Sequence, residues 1–187
     1  MPATETLSPE SALPRMVTQR RESVEAISLR RPVLLVFLRH FGCTFCREAM
    51  ADLADKRAEF EECGIRLVLV HMTTPDVAEK WFAKYRLGGV DYVCDEQCAY
   101  YDAFGLTKGN FHQLFGLHAW IRGFDAGLVQ GHWVGTQQLG DGFQMPGVFS
   151  IDKGRVAEAF VHKLASDRPD YWGLLECCAV RRPAGRR

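Results

Sequence analysis

Cys43-Thr44-Phe45-Cys46 is the segment of this chain with the clearest chemical potential. Cysteines three residues apart share one face of a helix. At that spacing they can close a small-ring disulfide and reopen it by thiol exchange. Arg39 and Arg47 bring positive charge to the pair, Glu48 offsets part of it, and His40 adds a titratable ring three residues upstream. The chain has seven cysteines, and an odd number argues against a fully paired disulfide framework. Cys94 and Cys98 read as small buried apolar groups, with a resolving role as the second reading. As half of a zinc site they lack the paired-motif spacing that structural zinc requires. Cys63 falls at a helix end and reads as structural. Cys177 and Cys178 are adjacent on a helix and point different ways.

A thiol pair is only as reactive as the elements that position it. The run from Pro32 to Leu38 is continuously apolar, as a central parallel strand must be. A four-residue loop, Arg39 to Gly42, leads into a predicted helix from Cys43 to Cys63 that buries Cys46, Met50, Leu53 and Phe60. Gly64 stops it. The CxxC therefore sits where a buried strand ends and a helix begins. Helix N-terminal N–H groups and the helix dipole stabilise a thiolate there. The carboxyl ends of strands in an open α/β sheet are also where clefts form.

The remaining pattern supplies the scaffold. Ile65–His71 reads as a second strand, Pro75–Tyr85 as a helix and Tyr92–Cys94 as a third strand, with Asp95 capping a helix that runs to Phe104. Gly147–Ile151 and Val156–Val161 form a hairpin across a tight turn at Asp152-Lys153-Gly154. Pro169 opens a last helix to about Val180. The expected fold class is α/β, a mixed central sheet flanked by helices, with an aromatic-rich insertion over residues 107–142 before the last hairpin. Residues 1–14 are expected to be disordered, 15–30 to hold a leading helix, 15–180 to form a single domain, and 181–187 a basic flexible tail. The insertion could line an apolar pocket or a dimer face, or bury its aromatics in a core of its own.

The formal net charge is zero, so nothing global draws the chain to nucleic acid or to anionic membranes. No apolar run is long enough to span a bilayer. The first residues lack the pattern of a secretory signal, and the expected location is cytoplasmic, where thiols stay reduced.

The run Leu38-Arg39-His40-Phe41-Gly42-Cys43-Thr44-Phe45-Cys46-Arg47-Glu48-Ala49 resembles the active segment of the peroxiredoxin-like 2 group of the AhpC/TSA superfamily, which includes a prostamide/prostaglandin F synthase branch. Gly64-Ile65-Arg66-Leu67-Val68, Asp102-Ala103-Phe104-Gly105-Leu106 and Gly140–Asp152 extend the resemblance over about residues 31–175. It implies a thioredoxin-like fold and an antioxidant or oxidoreductase role. Two assignments of the attacking sulfur follow from it. Thioredoxin-type logic makes Cys43 the nucleophile and Cys46 the resolving thiol; peroxiredoxin logic makes Cys46 peroxidatic, with Cys43 where a threonine usually stands and Thr44 beside it. The arginine that peroxiredoxins carry near the start of the late strand is missing: Gln144 and Met145 occupy that stretch, and Arg39 or Arg47 is left to substitute. In such folds a cis-proline before that strand faces the disulfide, so Pro146 is either that residue or a plain turn proline.

The expected function is a thiol-dependent oxidoreductase that reduces a peroxide or a disulfide, recycled by an external thiol such as thioredoxin or glutathione, with no other cofactor and no metal. The alternatives are a reductase of a specific lipid endoperoxide and a non-enzymatic redox sensor or binding module.

Overall fold

Five strands form one mixed sheet. β1 (Val33–Phe37), β2 (Arg66–His71), β3 (Asp91–Cys94), β4 (Gly147–Asp152) and β5 (Arg155–Val161) lie in the order β3-β2-β1-β4-β5. β1, β2 and β3 run parallel, while β4 pairs antiparallel with β1 and β5 with β4. The computed structural model describes residues 7–108, 140, 141, 143–163, 167–178 and 180.

β1 explains why the sheet is a central layer. Every one of its residues is buried, and the twofold alternation of a strand divides them. Leu34 and Val36 face one core, and Val33, Leu35 and Phe37 face the other. The first face is covered by α3 (Thr44–Glu62), α4 (Pro75–Lys84) and α6 (Tyr171–Leu175), which bury Phe60, Phe82 and Tyr171 among others. The second is covered by α1 (Pro9–Ala12), α2 (Val24–Ser28) and α5 (Ala99–Ala103). Each large side chain fully buried in these cores contributes about 1.5–3 kcal/mol.

Two glycines sit where a side chain would be strained or crowded. Gly64 ends α3 at φ +75°. A Cβ at Gly147 would come within 2.6 Å of the Leu106 side chain, so the start of β4 lies close against the segment after α5. The β4–β5 turn has positive φ at both Lys153 (50°) and Gly154 (76°), the handedness that matches strand twist.

Several sequence expectations need correction. Residues 7–14 are ordered: Ser8 and Ser11 form a reciprocal capping box at α1, and Ala12 and Leu13 are fully buried. Only Val24–Ser28 of the leading segment is helical, and a Val17–Ser23 bridge precedes it. The helix expected from Asp95 begins at Ala99. The final helix ends at Leu175 and continues as a 3-10 turn, Glu176–Cys178. The insertion, except for residues 107, 108, 140 and 141, and the tail 181–187 lie outside the described residues.

Candidate active site

The β1–α3 junction holds both cysteines of the CxxC. Cys43 is the N-cap of α3, with extended backbone (φ −76°, ψ 129°), and Cys46 lies one turn in. Both are buried, at 2% and 4% exposure, and all seven cysteines of the chain are free. The Cys43 N–H donates to the His40 carbonyl at 3.0 Å, closing the loop on itself. No acidic residue occupies the first turn of α3.

Arg39 organises the two sulfurs. It is 3% exposed, and its Nη1 donates to Cys43 Sγ at 3.4 Å while its Nε donates to the Gln144 carbonyl at 3.1 Å. The Arg39 carbonyl accepts from Cys46 Sγ at 3.4 Å. One sulfur therefore faces a guanidinium and the other faces a carbonyl oxygen. The carbonyl acceptor stabilises the protonated thiol of Cys46, and the Arg39 guanidinium charge opposes it. Burial, and then the neighbouring Cys43, push the Cys46 thiol up to about 12.

The other predicted residues take supporting places. Gln144 is buried; its side-chain N–H group donates to the Leu106 carbonyl, which ties the segment before β4 to the end of α5. His40 Nδ1 accepts from the Gly42 N–H at 3.0 Å. Burial, reinforced by Arg39, lowers the ring to about 4, so it braces the loop as a neutral imidazole. Arg47 donates to the Gly42 carbonyl at 3.0 Å. Thr44 is the first residue of α3. Of the two readings of Pro146 the cis-proline one is excluded: no described peptide bond is cis, so Met145–Pro146 is trans.

A cavity of about 70 Å³ opens beside Cys46, room for several water-sized molecules. Arg39, Phe45, Cys46, Pro146, His162 and Tyr171 line it. Arg168 and Glu48, paired at 3.1 Å, are also on its wall. On the other face of the sheet, Tyr101 braces the strand end that leads into the Arg39 loop. Its hydroxyl lies 2.6 Å from the Leu38 carbonyl oxygen and 3.0 Å from that of Val70, joining the ends of β1 and β2.

Sequence reasoning missed His162, Tyr101, Arg168 and Tyr171. His162 was within reach: the hairpin sets Val161 opposite Gly147, so the next residue falls beside Pro146. The other cysteines are elsewhere. Cys94 ends β3 and Cys98 caps α5, while the sulfurs of Cys177 and Cys178 lie 3.6 Å apart next to Ser150. Among the described residues no group of three or more His, Cys, Asp or Glu is gathered as a metal site, and no helix is long and apolar enough to cross a membrane.

Residues 8–159 match the AhpC/TSA family. A curated relative, the chloroplastic thioredoxin-like protein AAED1 of Arabidopsis thaliana, is 27% identical over 158 residues, covering 80% of this chain. The chain spans 63% of that relative's length. Among solved structures, peroxiredoxin Q of Xanthomonas campestris superposes with a TM-score of 0.61 at 16% identity, covering 90% of this chain and 93% of that one. Peroxidoxin BcpB of Mycobacterium tuberculosis gives 0.58 at 16% identity, covering 89% and 92%. At these identities the superpositions speak for the thioredoxin-like peroxiredoxin fold.

Proposed function

Because the chain belongs to the AhpC/TSA family, we propose that it is a thiol-dependent peroxidase in which Cys43 attacks and Cys46 resolves. The reading rests on the opposite surroundings of the two sulfurs, with the Arg39 guanidinium 3.4 Å from Cys43 and the Arg39 carbonyl 3.4 Å from Cys46. The Cys43 thiolate attacks the peroxide O–O bond; the sulfur takes one oxygen as a sulfenic acid, and the other leaves as water or alcohol after protonation. Cys46 then displaces the sulfenic hydroxyl, giving the Cys43–Cys46 disulfide and water.

An external thiol of the thioredoxin or glutathione type restores the dithiol, and no further cofactor takes part. Cys46 is the sulfur on the cavity wall, so the incoming thiolate attacks there and expels Cys43 as the thiolate. The Arg39 guanidinium lies 3.4 Å from the departing Cys43 sulfur. A reducing compartment such as the cytoplasm suits this cycle.

The apolar part of the cavity wall, Phe45, Pro146, Val148 and Tyr171, lies beside Cys46 and supports a second reading, in which Cys46 attacks a peroxide bound there. It favours an organic peroxide over hydrogen peroxide, and the endoperoxide of the prostaglandin branch of the peroxiredoxin-like 2 group is one such substrate.

The test is thiol-coupled peroxide consumption, with dimedone trapping and mass analysis. Cys46→Ser should form a sulfenic acid on Cys43 once per chain and then stop. Cys43→Ser should form none. Sulfenic acid on Cys46 in Cys43→Ser would reverse the assignment. Stoichiometric oxidation of the wild type without turnover would make the protein a sensor. Comparing kcat/KM for hydrogen peroxide, cumene hydroperoxide and a prostaglandin endoperoxide ranks the substrate readings.

A further inference from the structure

A second pair of thiols, far along the chain, has no part in the peroxidase reading. Cys177 and Cys178 lie in the 3-10 turn Glu176–Cys178 that follows α6. Adjacent positions of such a turn point about 120° apart, so the two side chains are expected to diverge. Instead their sulfurs lie 3.6 Å apart. Cys177 is exposed, Cys178 is half-buried, and both are free thiols.

Fixed groups hold the pair in this arrangement. The Cys177 thiol donates to the Leu174 carbonyl at 3.4 Å. The Ser150 hydroxyl oxygen, on a fully buried residue of β4, lies 3.7 Å from the same sulfur. That oxygen accepts from the Glu158 N–H at 3.0 Å, which leaves the hydroxyl hydrogen available to the sulfur. The pair is thus anchored to the β4–β5 hairpin, with Cys177 open to solvent.

The spacing decides what such a pair can hold. Disulfides join residues whose Cα atoms are about 4.4–6.8 Å apart, whereas adjacent Cα atoms are held at about 3.8 Å. A direct S–S bond between these neighbours is therefore strained. A single atom inserted between the sulfurs is not. Bonded to each at about 2.3 Å, the length of a zinc–thiolate bond, it spans their 3.6 Å separation at an S–X–S angle of about 103°. That angle does not suit a linear two-coordinate ion such as copper(I). It suits a tetrahedral or pyramidal centre. Structural zinc takes four ligands, and among the described residues no three His, Cys, Asp or Glu are gathered. Arsenic(III) that carries one organic substituent is pyramidal, prefers sulfur to oxygen, and needs two more bonds.

We propose that Cys177 and Cys178 are a binding site for a monosubstituted trivalent organoarsenical, held as a chelate between the two sulfurs. Two As–O bonds break and two As–S bonds form. The two thiol protons leave with the displaced hydroxyls as water, and nothing is oxidised or reduced. The site is separate from the CxxC and does not depend on the peroxidase reading.

The probe is phenylarsine oxide, titrated into the reduced full chain. Iodoacetamide labelling and peptide mass mapping report each cysteine. Cys177 and Cys178 should lose their labelling together. The competing dithiol 2,3-dimercaptopropanol should restore it, and a monothiol at the same concentration should not. In Cys177→Ser or Cys178→Ser one As–S bond remains, so binding at the surviving thiol should weaken by about 100-fold or more. Affinity equal to the wild type in either variant overturns the proposal. So does a wild-type chain whose Cys177 and Cys178 both stay open to iodoacetamide at saturating probe, a result that requires no variant to fold. Equal protection of the pair by zinc ion alone would overturn the choice of ligand.

Discussion

Two junctions of this sheet have the same design and opposite electrostatics. β1 leads into α3 and β3 leads toward α5, and each helix has a cysteine at its N-cap, Cys43 and Cys98. At α5 the Asp95 carboxylate already occupies the helix N-terminus, accepting from the N–H groups of Ala99, Tyr100 and Tyr101 at 2.8–3.2 Å. Burial, followed by Asp95 and Asp141, pushes the Cys98 thiol up to about 11. At α3 the first turn has no carboxylate, and a guanidinium meets the sulfur instead. A helix N-terminus therefore does not make a reactive thiol by itself; the group that occupies its donors decides.

The largest expected contrast is catalytic. Cys43→Ser should reduce thiol-dependent peroxide turnover by about 1000-fold or more, while Cys98→Ser should stay within about twofold of the wild type. A loss at Cys98 as severe as that at Cys43 breaks the contrast. Next comes Arg39→Met, which leaves the cysteines in place and removes the guanidinium. A charge-assisted hydrogen bond of about 1.5–3 kcal/mol corresponds to a 10- to 150-fold fall in the rate of Cys43 oxidation. A rate equal to the wild type in single-turnover stopped flow would remove Arg39 from the site.

Asp95→Ala probes the other junction. Three N–H groups lose their acceptor, so the urea midpoint should drop by an amount worth about 2 kcal/mol. Alkylation of Cys98 should quicken once the carboxylate is gone. An unchanged midpoint would mean that water replaces Asp95 at no cost.

A last contrast is acid stability. His40 and His162 border the CxxC, His71 ends β2, and burial lowers all three to about 4. An unfolded histidine titrates near 6.5, so between about 6.5 and 4 the unfolded chain binds more protons. Stability from these rings is complete above that window and is lost as the pH falls through it. Urea midpoints at pH 7.5, 6 and 5 should decline in that order, and equal midpoints would contradict the burial of these rings.

Much of this arrangement was legible in the sequence, and the limits have physical causes. The apolar run of β1 and the buried face of α3, Cys46, Met50, Leu53 and Phe60, follow from local periodicity. The short α1 escaped because Ser11 stands where a capping box usually has Glu or Gln, and because only tertiary packing makes Ala12 and Leu13 core residues. Arg39 could be nominated but not given its bonds, since its Gln144 partner lies 105 residues away. Asp91 shows the same limit: it ends up 2.7 Å from Arg66 and 2.9 Å from Arg20, a buried carboxylate between two arginines that no local pattern announces. His162 needed the hairpin register, and Tyr101 needed the fold to bring two strand ends under one hydroxyl.

The double duty of Arg39 also has an electrochemical consequence. The bond from Cys46 needs the thiol hydrogen, so it exists only while Cys46 is reduced. Whatever it contributes to folding is withdrawn on oxidation, so the fold itself favours the dithiol. Each 1.4 kcal/mol of that preference raises the midpoint potential of the pair by about 30 mV. In the proposed cycle that preference makes the disulfide form a better electron acceptor, one that a mild thiol can reset.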